Sequence, residues 1–421
     1  MQKIIIIGNG VAGATAAEVI RKKNKDVSIS VYSDEPYPFY SRIKLPHFLG
    51  DEIKQEDIYI YNADWYKGNG IEFYPGTKIK KIEPDSKYII TEKEEKVEYD
   101  KLLLATGSTN FVPPIKGREK KGFFTLRTIK DVLSIKEYSL KTCSERSESN
   151  KNAIMIGGGL LGLEAARGLK VRGLDVTVVE FFPRLLPRQL DEKGAKVLRK
   201  LIEKVGIEIV LNAQSDEVLG EDKVAGLKLK DGRNVDCNLI IISAGITPRI
   251  ELAKEAGIAV NKGIIVNERL ETNIKGIYAA GDCAEFQGRI YGLWTASTEQ
   301  GTIAGNNIAG VDIVYSGTTP STTLKIVGID LTSIGVVNPP SPTSPLEGEG
   351  KGEGYRELIR EDGSNEVYKK LVIKDGKIVG AILLGDTKDV RAVGKLIKNN
   401  VDVSKHEDKL VDSKFDLKLI T

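Results

Sequence analysis

The chain has 421 residues, of which 41% are hydrophobic, and its formal net charge at pH 7 is +3. At about 100–200 residues per domain, this length predicts two or three domains. The small net charge gives no indication of a nucleic-acid partner, and no apolar run reaches the roughly 18 residues of a membrane-spanning helix. A strand-like stretch begins at Lys3 and leaves no room for a signal peptide before it, so we expect neither secretion nor membrane insertion.

Cysteine and histidine are both scarce. The three cysteines, Cys143, Cys237 and Cys283, are far apart and form no Cys-x-x-Cys pair, and His47 and His406 are the two histidines. Neither a zinc site nor a disulfide framework is therefore predicted, and we expect no metal. A cytoplasmic, reducing location is the simplest expectation.

The first motif follows an apolar run at residues 4–7. Gly8, Gly10 and Gly13 have the Gly-x-Gly-x-x-Gly spacing between this predicted strand and a predicted helix at about residues 12–23. In such a motif the first glycine allows a tight turn, the second lets the backbone approach a pyrophosphate, and the third lets the helix pack on the strand. The helix N-terminus then offers free N–H groups to the phosphates.

Two acids follow the next predicted strand, at residues 28–32. A carboxylate at Asp34 or Glu35 can accept hydrogen bonds from the hydroxyl groups of an adenosine ribose. For either residue alone, a solvated loop acid is an equally good interpretation.

A second motif of the same kind follows the apolar run at residues 153–156. It comprises Gly157, Gly159 and Gly162, with a predicted helix at about 160–172 and a strand at 175–179. Glu180 stands at the end of that strand, where a carboxylate favours a free ribose 2′-hydroxyl and repels a 2′-phosphate. NADH is therefore preferred to NADPH, although the nearby Arg184 weakens this preference.

Three further predicted strands end in small residues. They occupy residues 101–108, with Ala105, Thr106 and Gly107; 239–245, with Gly245; and 276–282, with Gly281 and Asp282. We predict buried parallel strands whose glycines allow close approach by a ligand or by another chain segment. An ordinary strand end is the alternative interpretation for each of them.

The last hundred residues show a different pattern. A strand is predicted at residues 323–329, a hairpin at 368–373 and 378–383, and a helix at 389–399. The polar stretch 142–150 and the Pro-, Gly-, Ser- and Glu-rich stretch 338–354 are predicted surface loops, since neither composition can bury a core.

As a set, these motifs resemble the FAD-dependent pyridine-nucleotide oxidoreductases with two dinucleotide-binding domains. The chain is most similar to NADH:rubredoxin oxidoreductases and to the flavin-containing part of NADH-dependent nitrite reductases. The resemblance covers nearly the whole chain and includes both glycine motifs and residues 40–45, 105–107, 183–191, 281–282 and 368–386.

The resemblance implies an α/β fold with two Rossmann-like dinucleotide-binding domains, the NAD domain being inserted in the FAD domain, plus a C-terminal α+β domain. The FAD domain would comprise residues 1–112 and 244–316, the NAD domain 113–243, and the C-terminal interface domain 317–421, including the low-complexity loop 338–354. In relatives the last domain contacts another subunit or the electron acceptor, and a homodimer is compatible with that role.

The resemblance also implies the cofactor sites. The residues expected to bind FAD are Gly8, Gly10, Gly13, Glu35 or Asp34 on the ribose, Ala105, Thr106, Gly107, Gly245, Gly281, Asp282 on the ribityl chain, and Thr295 and Ala296 at the start of a helix that faces the flavin. Those expected to bind NADH are Gly157, Gly159, Gly162 and Glu180.

Two residues are implied in catalysis. Arg42 matches a basic residue beside the flavin, and Glu164 matches the acid that pairs with it beside the nicotinamide. From the residues alone, a helix-surface acid is the preferred interpretation of Glu164.

One departure from the family concerns its redox cysteine. Ile43 stands where disulfide-reducing relatives carry that cysteine. Because disulfide exchange requires a thiolate, disulfide reduction is not expected, and Cys283 is predicted to be a small buried residue.

The expected reaction is hydride transfer from NADH to FAD, followed by electron transfer to a protein acceptor such as rubredoxin or a ferredoxin-like protein. The sequence contains no ferredoxin-type cysteine run, so no iron–sulfur cluster is expected in this chain. Two alternatives are the electron-input component of a larger assembly, such as a nitrite reductase, and an NADH-responsive signalling or scaffold protein.

Overall fold

A computed structural model describes residues 1–144, 151–326, 328–339, 354–363 and 366–421. Of the predicted loop at 142–150, residues 142–144 belong to a helix and residues 145–150 lie outside the described part. Of the predicted loop at 338–354, only residues 338, 339 and 354 are described.

The first half of the chain contains twelve of the strands in the described residues. They are β1 Gln2–Ile7, β2 Val27–Tyr32, β3 Ile71–Tyr74, β4 Ile79–Glu83, β5 Tyr88–Thr91, β6 Lys96–Glu98, β7 Lys101–Leu104, β8 Ser108–Asn110, β9 Phe123–Thr125, β10 Asn152–Ile156, β11 Asp175–Val179 and β12 Ile207–Val210.

The remaining described strands are β13 Ser215–Leu219, β14 Gly226–Leu229, β15 Asn234–Asp236, β16 Leu239–Ile242, β17 Ile246–Pro248, β18 Ile264–Val266, β19 Ile277–Ala279, β20 Ala284–Phe286, β21 Ser321–Ile326, β22 Ile329–Gly335, β23 Tyr355–Asp362, β24 Val367–Lys374 and β25 Lys377–Leu384. The α-helices are α1 Val11–Lys23, α2 Leu45–Leu49, α3 Ala63–Gly68, α4 Ile129–Ser144, α5 Leu160–Val171, α6 Glu192–Lys204, α7 Glu251–Glu255, α8 Trp294–Ile308 and α9 Val390–Lys398.

The first sheet has the strand order β19-β7-β1-β2-β3, and every neighbouring pair in it is parallel. Residues 4–7 of its central strand are all buried, as expected for a parallel strand that is covered on both faces. The strand that carries the first glycine motif therefore lies at the centre of this sheet.

The second sheet repeats this arrangement, with the order β12-β11-β10-β16-β9 and parallel pairing throughout. In both sheets the motif strand is flanked by its successor on one side and by a later strand on the other. The strand order thus reverses at the carboxyl ends of β1 and β10, which is where open α/β sheets bind ligands.

The C-terminal sheet is antiparallel, with the order β21-β22-β25-β24-β23. Helix α9 packs on it through Val393 and Leu396, both fully buried. The single strand predicted at 323–329 is wrong, because the chain reverses near Gly328, which has a φ of +82°, and forms the β21–β22 hairpin. Apolar residues on both sides of this turn make the two strands look continuous in the sequence.

The chain divides into two compact units. The first comprises Met1–Lys44, Lys54–Phe111 and Gly245–Thr318, and contains the first sheet; the second comprises Leu45–Ile53, Val112–Ala244 and Thr319–Thr421, and contains the second and C-terminal sheets. The predicted fold class is confirmed, while the division into three domains stays a prediction. No helix among the described residues is long and apolar enough to cross a membrane.

Candidate functional site

The first glycine loop joins β1 to α1 at the point where the strand order reverses. A Cβ atom on Gly8, which has a φ of +112°, would lie 2.0 Å from the Ala105 carbonyl oxygen, and one on Gly13 would lie 2.0 Å from the carbonyl oxygen of Gly8. By contrast, a Cβ on Gly10 would meet no described atom within 4 Å. The first and third glycines thus serve the turn and the helix packing, and the second leaves open space.

The second glycine loop, between β10 and α5, has the same geometry. A Cβ on Gly157, with a φ of +107°, would lie 2.3 Å from the Ser243 carbonyl oxygen, and one on Gly162 would lie 2.0 Å from Gly157 O. A Cβ on Gly159 would again find nothing in the described structure within 4 Å. The two loops, which share no residues, therefore have the same backbone geometry, and each leaves open space beside its second glycine.

Helices α1 and α5 begin directly at these openings. Gly10 and Gly159 are their N-cap residues, and neither has a side chain that could cap the helix. The first-turn N–H groups of both helices are consequently available to an anion, and the helix dipole favours negative charge there. In the first loop the buried Asn9 Nδ2 also has no hydrogen-bond partner among the described residues, which fits an additional acceptor group.

The loops that follow β7 and β19 lie at the same edge of the first sheet. Thr106 Oγ1 donates to the Arg249 carbonyl oxygen at 2.9 Å, and Asp282 accepts a hydrogen bond from Ser108 Oγ at 2.8 Å. The backbone N–H of Gly281 donates to Gln300 Oε1 on α8 at 2.8 Å. A Cβ on Gly107 or Gly245 would meet no atom of the described chain within 4 Å.

Helix α8 is held against α1 by a close glycine contact. A Cβ on Gly301 would lie 2.5 Å from the Ala12 carbonyl oxygen. The helix starts at Trp294, next to an exposed Thr295 and a buried Ala296, and its N-cap side chain makes no capping hydrogen bond. The predicted helix start is confirmed, and its role toward a flavin stays a prediction.

Arg42 lies between two of the predicted FAD ligands. Its Nη2 donates to Glu35 Oε1 at 2.7 Å, and it has an electrostatic interaction with Asp282. Tyr40 Oη donates to the other oxygen of Glu35 at 2.7 Å. Burial and the Glu35 carboxylate raise the pKa of Tyr40, which keeps its hydroxyl group protonated.

The other candidate ribose acid, Asp34, forms an ion pair with Arg249, 2.7 Å from Nη1 to Oδ2. Sequence reasoning missed the positioning contacts of Tyr40 and Arg249. Tyr40 belongs to the stretch at 40–45 that carries the family resemblance, but Arg249 is 215 residues from Asp34 and gave no local signal.

Glu180 is held beneath the second glycine loop and is only 6% exposed. Its two carboxylate oxygens accept hydrogen bonds from the backbone N–H groups of Gly158, at 2.5 Å, and of Phe182, at 2.8 Å. Arg184 donates to the carbonyl oxygen of Pro187 at 3.3 Å. The predicted NADH acid therefore adjoins the second loop, as its place at the end of β11 requires.

Glu164 lies half-buried on α5, in the second unit. Burial raises the pKa of its carboxyl group to about 7, and the positive charge of Arg167 opposes this rise. Arg167 in turn donates to Glu52 Oε1 at 2.6 Å and contacts His47 Nδ1 at 2.7 Å. Sequence reasoning missed these three residues, although the spacing of three between Glu164 and Arg167 on a helix was a usable signal. The pairing of Glu164 with Arg42 stays a prediction.

Cys237 and Cys283 are both buried. Burial raises the pKa of the Cys237 thiol to about 12 and also raises the pKa of Cys283, which is fully buried. The prediction of a buried Cys283 is confirmed. Ile43, at the position of the redox cysteine of disulfide-reducing relatives, is 53% exposed.

Comparisons with known proteins agree with the two-loop geometry. The family described as pyridine nucleotide-disulphide oxidoreductase matches residues 2–301, and the family described as rubredoxin NAD⁺ reductase C-terminal domain matches residues 320–401. The NAD(P)H nitrite reductase of Bacillus subtilis (strain 168) is 38% identical over 405 residues, which cover 96% of this chain and 48% of that protein.

A second relative is matched along nearly its whole length. The NADH-rubredoxin oxidoreductase of Clostridium acetobutylicum is 30% identical over 408 residues, which cover 97% of this chain and 96% of that protein. The crystal structure of NADH:rubredoxin oxidoreductase from the same organism has a TM-score of 0.73 at 29% identity, covering 99% of this chain and 98% of that one. The chain spans about half the length of the first curated relatives it matches.

These matches extend over both glycine loops and the C-terminal sheet, and they confirm the resemblance that the motifs indicate. This chain belongs to the pyridine nucleotide-disulphide oxidoreductase family.

Proposed function

We propose that this chain is a flavoprotein oxidoreductase that takes a hydride from NADH onto FAD and passes the electrons to a protein acceptor of the rubredoxin or ferredoxin type. The observation that carries this proposal is the pair of equivalent glycine loops, each at the reversal point of its own parallel sheet and each open over its second glycine. Such a chain can bind two dinucleotides, as hydride transfer between them requires.

Family membership implies a flavin and a nicotinamide dinucleotide. When bound, a flavin accepts a hydride and releases its electrons to a further acceptor. In the first unit, Gly10 and the N–H groups of α1 would hold the pyrophosphate of FAD, and Asp282 its ribityl chain. The positive charge of Arg42, beside Glu35 and Asp282, would offset the phosphate charge.

In the second unit, Gly159 and the N–H groups of α5 would hold the pyrophosphate of NADH. The buried Glu180 carboxylate adjoins this loop and would accept hydrogen bonds from the ribose. A 2′-phosphate would bring a second negative charge to the same place, which is the reason for proposing NADH rather than NADPH.

Glu164 is proposed to contact the nicotinamide end of NADH, since it lies on the helix that starts at the second loop. Its half-buried carboxyl group would orient the nicotinamide and restrict water beside it.

Two observations support a protein acceptor. The match to the rubredoxin NAD⁺ reductase C-terminal domain covers residues 320–401, and a relative matched over 96% of its length is named NADH-rubredoxin oxidoreductase. The chain matches only about half the length of the related nitrite reductases. This favours a second candidate function, that of an electron-input component of a larger assembly.

Anaerobic mixing tests this proposal. The purified chain, loaded with FAD, is mixed with NADH in a stopped-flow instrument while the flavin absorbance is followed, and then with oxidised rubredoxin. Rapid bleaching followed by rubredoxin reduction is expected. Bleaching without onward transfer would favour the larger assembly, or a signalling or scaffold role, and no bleaching by either nicotinamide would overturn the proposal.

A further inference from the structure

Arg167 contacts the segment Leu45–Ile53. The spatial contacts of this segment place it in the second unit, although its neighbours in the sequence belong to the first. Glu52 receives the Arg167 guanidinium on both carboxylate oxygens, and His47 Nδ1 contacts Arg167 Nη2 at 2.7 Å. The Arg167 side chain is 12% exposed, whereas those of Glu52 and His47 are 30% and 38% exposed, so the guanidinium is shielded from solvent more than its two partners are.

The backbone packing that supports the clamp is unusually close. A Cβ on Gly168 would lie 2.6 Å from the Pro46 carbonyl oxygen, and one on Gly50 would lie 3.2 Å from Gly168 Cα. Farther along the same interface, Asp51 pairs with both Arg172 and Lys136. The segment is therefore fixed at two separate places, by Glu52 on Arg167 within α5 and by Asp51 on Arg172 at the C-terminal end of that helix.

Glu164 is one helical turn before Arg167, on the same face of α5. The elements packed against α5 are α2, β10, β11, β12 and β21. Their described titratable side chains are His47 on α2, Asp175 on β11, which pairs with Lys170, and Glu208 on β12, which accepts from Thr177. Arg167 is the one charged group among the described residues with an electrostatic interaction at Glu164.

Arg167 also retains an unused donor. Its buried Nε has no hydrogen-bond partner among the residues that the structure describes, whereas both Nη atoms are occupied by the clamp. The effect of Arg167 on the neighbouring Glu164 carboxylate is therefore that of its positive charge, with no hydrogen bond between the two side chains.

We propose that Arg167 is a positioning residue for hydride transfer, clamped by Glu52 and His47 so that its positive charge favours the ionised form of the Glu164 carboxyl group beside the nicotinamide. The inference rests on the proposed function, in which Glu164 contacts NADH. In this arrangement the Leu45–Ile53 segment controls the charge of the Glu164 carboxyl group by holding Arg167 in place.

The test compares Arg167→Met with Arg172→Met in the FAD-loaded chain. Each substitution removes one arginine that pairs with the segment, while Lys136 keeps its pairing with Asp51 in both variants, but only the first substitution removes the charge beside Glu164. The rate of flavin bleaching by saturating NADH is measured anaerobically from about pH 6 to about pH 9, together with the thermal unfolding midpoint of each variant.

For Arg167→Met, the acidic limb of the rate profile should move to higher pH by about one pH unit, because losing a nearby positive charge favours the protonated carboxyl group. The rate at pH 7 should fall roughly fivefold. In Arg167→Lys the acidic limb should return most of the way to its position in the unsubstituted chain. In Arg172→Met the limb should not move, even if the thermal unfolding midpoint of that variant falls.

A limb that is unchanged in Arg167→Met, or that shifts equally in Arg172→Met, would overturn the proposal and leave Arg167 a purely structural residue. If Arg167→Met does not fold, Arg167→Gln, which also removes the positive charge but keeps an N–H donor for Glu52, is measured instead, and an unchanged limb would again count against the proposal. Failure of the proposed function is distinguishable, because the unsubstituted chain would then show no bleaching at all.

Discussion

The Glu180 carboxylate accepts a hydrogen bond of 2.5 Å from the backbone N–H of Gly158, 22 residues earlier in the chain. This bond ties the end of β11 to the loop that follows β10. A negative charge is thereby fixed beside the second glycine motif, where a nicotinamide dinucleotide would place its adenosine ribose.

The first prediction concerns cofactor selectivity. NADH should bleach the flavin far faster than NADPH, and Glu180→Gln should narrow that ratio by roughly tenfold, since it removes one repulsive charge. Single-turnover rates with the two cofactors measure the ratio, and Glu208→Gln on the exposed side of β12 is the matched control. Equal rates with NADH and NADPH in the unsubstituted chain would contradict the assignment.

The second prediction separates the two loops. Gly10 and Gly159 have φ values of −85° and −79°, which alanine accepts, and neither position has a described atom within 4 Å of a Cβ. A methyl group there meets only a bound dinucleotide. Gly10→Ala should therefore weaken FAD retention, and Gly159→Ala should raise the NADH concentration needed for half-maximal bleaching by roughly tenfold while FAD stays bound.

Each of these two variants is the control for the other. FAD content after gel filtration and the NADH dependence of bleaching are measured for both. Loss of FAD in Gly159→Ala, with Gly10→Ala unaffected, would reverse the assignment of the two loops.

The third prediction concerns stability. Gly162→Ala should destabilise the chain by about 2–4 kcal/mol, because its Cβ would lie 2.0 Å from the backbone oxygen of Gly157. Gly394→Ala, in the interior of α9 with no described neighbour within 4 Å, should instead stabilise by about 0.5–1 kcal/mol. Thermal unfolding midpoints compare the two, and a fall of similar size in both would argue against this packing account.

The fourth prediction concerns the acid stability of the second unit. Burial alone would raise the pKa of Asp191, but hydrogen bonds from Tyr368 Oη, at 2.5 Å, and Gly194 N, together with Lys370, lower it below its usual value. A carboxylate with a lowered pKa stabilises the fold above its unfolded-state pKa, and this stabilisation is lost as pH falls through the lowered folded-state pKa.

Asp191→Asn should therefore cost about 1–3 kcal/mol at neutral pH, because the buried Lys370 loses a charged partner. The difference from the unsubstituted chain should shrink below about pH 4, where the aspartate itself is protonated. Urea unfolding at neutral and acidic pH measures this, with Asp231→Asn on an exposed turn as the control. If Asp191→Asn lowered the free energy of unfolding by the same amount at both pH values, the ionised carboxylate could not be the source of the loss.

Local patterns predicted most of the parallel sheets. The apolar runs before Gly8 and Gly157 became β1 and β10, and the small-residue strand ends at 105–107 and 281–282 lie at the reversal edge of the first sheet. These elements can be predicted from the sequence because a strand that is buried on both faces is a continuous apolar run, and because each turn needs glycine within a few residues. The hairpin at β21–β22 was missed because its turn interrupts an otherwise continuous apolar pattern.

The sequence by itself determined two strand–glycine loop–helix units, since a strand, three spaced glycines and a helix are a local arrangement that no distant residue needs to complete. Only the tertiary structure decided how the charged groups are paired: Glu52 clamps Arg167 across 115 residues, and Tyr368 binds Asp191 across 177. Such pairs depend on which helix faces pack together, and a single charged residue carries no periodic signal of its partner. The two glycine loops are thus predictable from the sequence, whereas the charged pairs around them depend on packing.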